Sequence, residues 1–205
     1  MSYSQFGQEV EVIKFYKNKP FGFFVEIGAH NGKKLSNTYM LESQFKWKGI
    51  CVEPNPQKYE LLCKNRRRSF CCDRAVYSES NKELIFDIAN NDDLLSGISE
   101  TIDFHKNFVE TNKSQILVNT ISFFDLLEKY NAPSFIEYLS LDTEGSEYEI
   151  LKSLDFQKYI FGLIHVEHNF VEPKRSQINE LLTSNGYEFI KENHIDDVYK
   201  HKSID

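Results

Sequence analysis

The sequence predicts an α/β fold, with a mostly parallel sheet, helices on both faces and an antiparallel last strand. Three observations carry this. The run Phe23-Phe24-Val25-Glu26-Ile27 is almost continuously apolar, as suits a strand buried on both faces of a parallel sheet. Strand-like apolar runs then alternate with helical patterns along most of the chain. Near the end, residues 187–190 and 198–200 read as two strands joined by a connection too short for a parallel crossover, so they must be antiparallel.

Taken in order, Ser4 is placed to cap a first helix with Phe6, Val10, Ile13 and Tyr16 on one face, closed by residues 17–20. The first strand follows, then the loop Gly28-Ala29-His30-Asn31-Gly32. Leu35, Tyr39 and Phe45 mark a second helix, broken at Lys48-Gly49. Ile50-Cys51-Val52-Glu53 reads as a second strand, stopped by Pro54. Asn55 caps a third helix with Pro56 in its first position, where the missing N–H does no harm. Residues 70–72, 75–77 and 83–86 read as short extended pieces. Residues 88–115 are polar and poorly periodic, an irregular insertion suited to a lid or binding loop, or to decoration. Ser122-Phe123-Phe124-Asp125 has the form of a capping box with Asp at the Glu position. Residues 136–141 form a strand ending at Asp142, residues 145–154 a helix, and residues 161–166 a strand ending in Glu167-His168-Asn169. Pro173 opens a helix through Ile178, Leu181 and Leu182 that Gly186 stops. No repeat or linker marks a second domain. Residues 1–205 are expected to form one domain, with the amino-terminal helix and the 88–115 segment covering a cleft.

Composition narrows the partners. A hydrophobic content of 40% with 27% charged residues is that of an ordinary soluble globular chain. The net charge of −7 argues against a nucleic-acid backbone as partner. The one basic run, Lys64-Asn65-Arg66-Arg67-Arg68, falls at a helix end, where cations suit the dipole. Cys51, Cys63, Cys71 and Cys72 form no Cys-x-x-Cys pair and have no histidine at zinc spacing, which fits a reducing compartment. Neither a signal peptide nor a run of membrane-spanning length is present, so a cytoplasmic location is expected. Oligomeric state is not legible.

In open α/β sheets ligands bind beyond the carboxyl ends of the strands. The first strand here ends in a loop whose glycines let a backbone approach a ligand closely. The following helix start offers free N–H groups. The spacing Gly-x-x-x-Gly is not the Gly-x-Gly-x-x-Gly of dinucleotide binders, and it favours an adenosine-type ligand without a pyrophosphate. Glu53 ends the second strand about twenty-five residues after Gly28, near the spacing at which a carboxylate takes ribose hydroxyls. At the later strand ends, Asp142 and Glu144 face the group Glu167-His168-Asn169 if both ends share the cleft. His168 or Asp142 can serve there as a base. Alternatively a divalent cation such as magnesium, held by Asp142 and Glu167, lowers a hydroxyl's pKa. His30, Gln5 and Gln8 are further candidates at the cleft mouth, against plain surface roles.

Several ordered motifs carry a family resemblance. They are Tyr3-Ser4-Gln5-Phe6-Gly7-Gln8, Phe24-Val25-Glu26-Ile27-Gly28-Ala29-His30-Asn31-Gly32, Ser36-Asn37-Thr38 and Gly49-Ile50-Cys51-Val52-Glu53-Pro54-Asn55-Pro56, followed by Ala75-Val76 and Ser96-Gly97-Ile98. Tyr138-Leu139-Ser140-Leu141-Asp142-Thr143-Glu144-Gly145-Ser146-Glu147, Val166-Glu167-His168-Asn169 and Asp196-Asp197-Val198 complete the set. With these the chain resembles the FkbM-type family of S-adenosylmethionine-dependent methyltransferases over nearly its whole length. The resemblance implies the class I methyltransferase fold, Rossmann-like, with a seven-stranded sheet. It implies Glu26, Gly28, Ala29, His30, Asn31 and Gly32 around the methionine part of S-adenosylmethionine, with Asp142 nearby. It further implies Glu53 and Pro54 at the ribose and Asp73, Arg74 and Ala75 near adenine. Its members methylate hydroxyl groups, often of sugars or related natural products, so a small-molecule or glycan acceptor is expected, with Asp142, Glu167 and His168 as catalytic candidates. Glu26 stands where many relatives have Asp.

Two other readings stay open on the residues alone. One is a nicotinamide-dependent oxidoreductase, which the glycine spacing and the antiparallel last strand count against. The other is a non-catalytic module that binds S-adenosylmethionine, which the carboxylates at the presumed acceptor side count against.

Overall fold

The computed structural model describes residues 2–204. At its centre is β1 (Phe23–Ile27), every residue of which is buried. It pairs in parallel with β2 (Lys48–Val52) on one side and β8 (Phe135–Leu141) on the other. Beyond β2 lies β3 (Phe70–Cys72), and beyond β8 lies β9 (Ile160–Glu167), both parallel. The chain then returns through β10 (Tyr187–Asn193) and β11 (Asp196–His201). Strand β11 runs antiparallel to both β9 and β10, giving the seven-stranded order β10-β11-β9-β8-β1-β2-β3. The mixed sheet with antiparallel pairing at one edge is the one the sequence predicts.

Side chains that alternate along each strand feed two cores. Phe24, Cys51, Tyr138, Leu163 and Val198 pack on Val12 of α1 (Gln8–Phe15), Leu41 of α2 (Tyr39–Phe45) and Leu62 of α3 (Pro56–Asn65). Val25, Ile50, Leu139, Ile164 and Tyr199 belong to a second core. It includes Leu126 of α5 (Phe123–Lys129), Ile150 of α6 (Glu147–Lys152) and Leu182 of α7 (Lys174–Ser184). Each of these fully buried leucine and isoleucine side chains contributes roughly 1.5–3 kcal/mol of transfer free energy. Helices therefore cover both faces because every central strand is apolar on both.

The caps at Asn55 and Ser122 are as expected. The Asn55 side chain accepts from the backbone N–H of Gln57 and Lys58, with Pro56 in the first turn, and Ser122 Oγ accepts from Asp125 N. The first helix starts differently. Gly7, in the left-handed region, precedes it, while Ser4 lies in an isolated bridge with Leu35 and turns its hydroxyl to the buried Glu9. Leu35 itself is outside any helix, and Lys48-Gly49 opens β2 rather than only ending α2.

The larger departure is the 88–115 segment, expected to be irregular. It is folded into a second, four-stranded sheet, order β4-β7-β5-β6. The strands are β4 (Ala75–Tyr77), β5 (Glu83–Ala89), β6 (Gly97–Ile98) and β7 (Lys113–Ser122). A 3₁₀ turn, Asp93–Leu95, and α4 (Lys106–Thr111) lie within the segment. The ten-residue β7 is polar along its open side and even leaves Leu117 68% exposed, so its period is masked. Among the described residues no helix is long and apolar enough to cross a membrane, and the four cysteines are free.

Candidate active site

The carboxyl ends of β1, β2, β8 and β9 open into one cleft of about 450 Å³, within the usual small-molecule range of roughly 300–1,000 Å³. Its floor is Gly28, Ala29, Glu53, Asp142 and Glu167, and its roof is residues 92–96 of the second sheet's connecting turn. Gln5 and Gln8 line its mouth, the latter tied by its amide to Asp196 Oδ2 at 2.8 Å. Non-glycine residues sit in the left-handed region at three of the strand ends: His30 after β1, Glu144 after β8, and Asn169 with Phe170 after β9. Backbone strain of this kind concentrates where a surrounding structure fixes a functional loop.

The glycine loop is built around contacts between strand ends. Gly28 has φ +90°, and a Cβ there would lie 1.7 Å from the Asp142 carbonyl oxygen. Gly28→Ala is therefore expected to lower the melting temperature. Its φ alone costs roughly 1–3 kcal/mol, and β1 and β8 must also part. An unchanged melting curve would show that the loop relaxes freely.

The predicted donor residues divide. Gly28, Ala29, His30, Glu53, Pro54, Ala75 and Asp142 line the cleft. Glu26 does not. Its carboxylate accepts from Ser36 Oγ at 2.9 Å, Asn37 N at 2.9 Å, Thr38 Oγ1 at 2.7 Å and Arg66 Nη2 at 2.7 Å, all buried. Asn31 accepts from Lys33 N and Lys34 N as a turn residue, and the Gly32 carbonyl accepts from Arg66 Nε. Neither Asp73 nor Arg74 reaches the cleft wall, and Arg74 donates to Asn81. The apolar stretch of the wall near Glu53 is Ala75, Val76, Leu94 and Leu95.

Glu53 is buried, its Oε1 accepting from Asn55 N at 2.8 Å. Burial pushes its carboxyl up to about 7, against hydrogen bonds from the backbone of Asn55 and His30. At the other end of the cleft Asp142, Glu144 and Glu167 bring carboxylate oxygens within 4.8 Å of one another. Burial, then the charges of Asp196 and Glu147, raises Asp142 to about 7. Burial and Asp142 raise Glu144 to about 9, and burial raises Glu167 well above the ordinary carboxylate range.

His168 stands elsewhere, contrary to the expectation of a cleft base. Its Nδ1 accepts from Phe170 N at 2.9 Å, its Nε2 lies 3.4 Å from Asp197, and it does not line the cleft. Asp197 is itself held by Arg175 through two bonds. The imidazole that lines the cleft beside the carboxyl cluster is His105, whose Nε2 is 3.9 Å from Glu144 Oε2 and which burial keeps below its ordinary pKa.

Among the described residues, six buried side-chain polar atoms lack a hydrogen-bond partner, and three belong to cleft-lining residues: His30 Nδ1, Asn37 Oδ1 and Glu167 Oε2. Buried polar atoms are almost always paired, so these three stand out, though each is closed off from the cleft by its neighbours. Asn37, whose amide nitrogen donates to Ser140 Oγ at 2.9 Å, is a residue the sequence reading left out of the site. The Ser36-Asn37-Thr38 motif was the available signal for it.

Comparison with known proteins follows the same line. A sequence profile of the methyltransferase FkbM domain matches residues 26–189. No curated protein matches the chain. Among solved structures, a putative rRNA methylase from Clostridium thermocellum aligns at 10% identity over 98% of this chain and 97% of its own, with a TM-score of 0.52. The METTL16 methyltransferase domain aligns at 10% identity over 96% and 65%, TM-score 0.51. A precorrin-6Y C5,15-methyltransferase from Geobacter metallireducens aligns at 13% over 93% and 84%, TM-score 0.47. At these identities the likeness is one of fold.

Proposed function

This chain belongs to the methyltransferase FkbM domain family, and from that premise we propose that it moves the methyl group of S-adenosylmethionine to a hydroxyl of a sugar, glycan or related natural product. The nicotinamide alternative gains nothing from the family assignment. The whole chain acts as one catalytic domain, with α1 and the 92–96 turn over the cleft.

The observation that carries this reading is the set of carboxyl groups at the strand ends that line one cleft with an apolar wall. Glu53 takes the ribose, while Ala75, Val76 and Leu95 cover the adenine. Asp142 accepts from the methionine ammonium, a task for which Glu26 has no free edge. The methyl then points toward Glu144 and Glu167. As the S–CH₃ bond breaks, its electron pair stays on sulfur and an O–CH₃ bond forms to the acceptor. The hydroxyl proton passes to a carboxylate of the cluster, whose raised pKa suits a base working near neutral pH. Positioning for in-line approach supplies much of the rate.

The lining is poor in cations: it holds six carboxyl groups, several of them with raised pKa, and one lysine, Lys34, which disfavours a polyphosphate chain. A divalent cation is a second route to the same deprotonation. Three carboxylates with Glu167 Oε2 unpartnered form a hard-oxygen donor set of the right type, and magnesium held there would lower the hydroxyl's pKa.

A radiolabelled methyl-transfer screen over sugars, nucleotide sugars, glycans and RNA tests the proposal. Transfer to a hydroxyl acceptor is expected, with Asp142→Asn slowing it on the order of 100-fold or more. Transfer to RNA alone, or full activity of Asp142→Asn, would overturn it. Sensitivity to added chelator, reversed by magnesium, supports the cation route.

A further inference from the structure

Against six carboxyl groups the cleft wall carries one lysine, and that lysine is exposed. It is Lys34. The two imidazoles of the lining, His30 and His105, are each held below their ordinary pKa, first by burial, and are neutral at pH 7. The other cations around the strand ends are committed to carboxylates. Lys58 pairs with Asp93, Arg66 with Glu26 and Glu42, Lys174 with Asp103 and Glu147, and Arg175 with Glu192 and Asp197. Among the described residues Lys34 pairs with no carboxylate, so its charge is available to a ligand in the cleft.

The backbone that carries Lys34 is braced. Lys34 N donates to Asn31 Oδ1 at 2.8 Å, and Leu35 bridges to Ser4 of the amino-terminal segment. Ser36 Oγ donates to Glu26 Oε1 at 2.9 Å, and Asn37 Nδ2 donates to Ser140 Oγ at 2.9 Å. Residues 34–37 therefore run from the glycine loop across the ends of β1 and β8, on the side away from Glu53 at the end of β2. The ammonium stays close to the glycine loop. Burial lowers the His30 imidazole most, and Lys34 is near enough to lower it further. In the donor reading the adenosine lies at Glu53 and the methionine part over Gly28 and Asp142. One carbon of that part bears both an ammonium and a carboxylate. The ammonium meets several carboxyl groups on the wall. The carboxylate meets like charge at the Asp142, Glu144 and Glu167 cluster, or forces those groups to stay protonated. Lys34 is the one permanent cation on the described wall that can neutralise it.

We propose that Lys34 Nζ holds the α-carboxylate of the donor's methionine part, as the counterpart of Asp142 at its ammonium. This rests on the donor reading above and deepens it. Opposite charges on one carbon are held at two points, which fixes the direction of the chain carrying the sulfur before the acceptor arrives. The long stem lets the ammonium reach inward from the rim, and it stays hydrated until the ligand binds, so the empty protein bears little desolvation cost. Lys34 is then a specificity residue too, since an adenosine derivative without the amino-acid carboxylate loses this contact.

The test is calorimetry of the full chain with S-adenosylhomocysteine and with its decarboxylated analogue, which keeps the ammonium and lacks the carboxylate. The readout is the ratio of the two affinities, which isolates the coupling between residue and carboxylate. Lys34→Gln should lower the preference for S-adenosylhomocysteine over the analogue roughly five- to tenfold relative to the wild type. Lys34→Arg should keep it, because the charge is kept. Lys33→Gln controls for a general loss of positive charge. Lys33 stands on the same turn with its Nζ over the Tyr39 ring, 5.6 Å from the centroid, and its removal should leave the ratio unchanged. An unchanged ratio in Lys34→Gln, or an equal fall in Lys33→Gln, overturns the Lys34 assignment while donor binding stands. No binding of S-adenosylhomocysteine by the wild type overturns the donor reading as well.

Discussion

Glu53→Ala is expected to weaken S-adenosylhomocysteine binding by about 1.5–3 kcal/mol, roughly 10- to 150-fold, because it removes a charged acceptor from a hydroxyl inside a buried wall. Calorimetry reads this directly. Equal affinity in the mutant would remove the ribose assignment. The same residue should act in the opposite direction on the empty protein. Its carboxyl titrates near 4.5 when unfolded and at about 7 when folded. Between those values the folded state holds a proton that the unfolded state has lost, so stability falls as pH rises through that window. Above pH 7 the full penalty is present, at most about 3 kcal/mol. Glu53→Gln carries no such penalty. Its melting temperature should exceed that of the wild type at pH 8 and match it near pH 4, while its donor affinity at pH 8 is lower. A site that loses stability in order to hold a carboxylate ready is a binding site rather than a packing solution.

The main sheet was legible because its strands are buried on both faces, and a doubly buried strand leaves no polar alternation to confuse the pattern. The Asn55-Pro56 and Ser122-to-Asp125 signals are local and survive folding unchanged. Strand β7 was not legible, since one of its sides stays open and its partner β5 lies some thirty residues away in the sequence. The reading of His168 failed for a geometric reason. Successive side chains of an extended chain point to opposite sides, and with Glu167 turned into the cleft its neighbour turns away. Asp93 sat unnoticed within Asn90-Asn91-Asp92-Asp93, where nothing local separates a cleft-lining carboxylate from a solvated one. Its contacts are with His30 and Lys58, both distant along the chain.

The contact between Glu26 and Arg66 was hidden in the same way, and removing Arg66 should have the largest effect on stability. The sequence presents Arg66 inside a basic run at a helix end. In the fold its guanidinium is fully buried, with Nη2 on Glu26 at 2.7 Å and Nη1 on Glu42 at 3.4 Å. It also donates to Ser36 Oγ, Thr38 Oγ1 and the Gly32 carbonyl, with Phe24 and Tyr39 rings about its plane. Arg66→Met leaves two buried carboxylates without a counter-charge, which should cost about 3–5 kcal/mol, a large share of the roughly 5–15 kcal/mol typical of a whole domain. Arg66→Lys should recover little, because a single ammonium cannot reproduce the planar fork. The triple change Arg66→Met, Glu26→Gln, Glu42→Gln should recover much of the loss in denaturant titration, since it removes the stranded charges along with the arginine. A cost below 1 kcal/mol for Arg66→Met alone would contradict the buried network. The network also decides what Glu26 does. Four donors already occupy its carboxylate, so Glu26→Gln should appear as lost stability with donor affinity nearly unchanged in the folded fraction. A large loss of affinity at unchanged stability would return Glu26 to the donor pocket. The end of β1 is thus held by Arg66 from behind, and Ile27 with the loop that this anchor keeps in place lines the cleft.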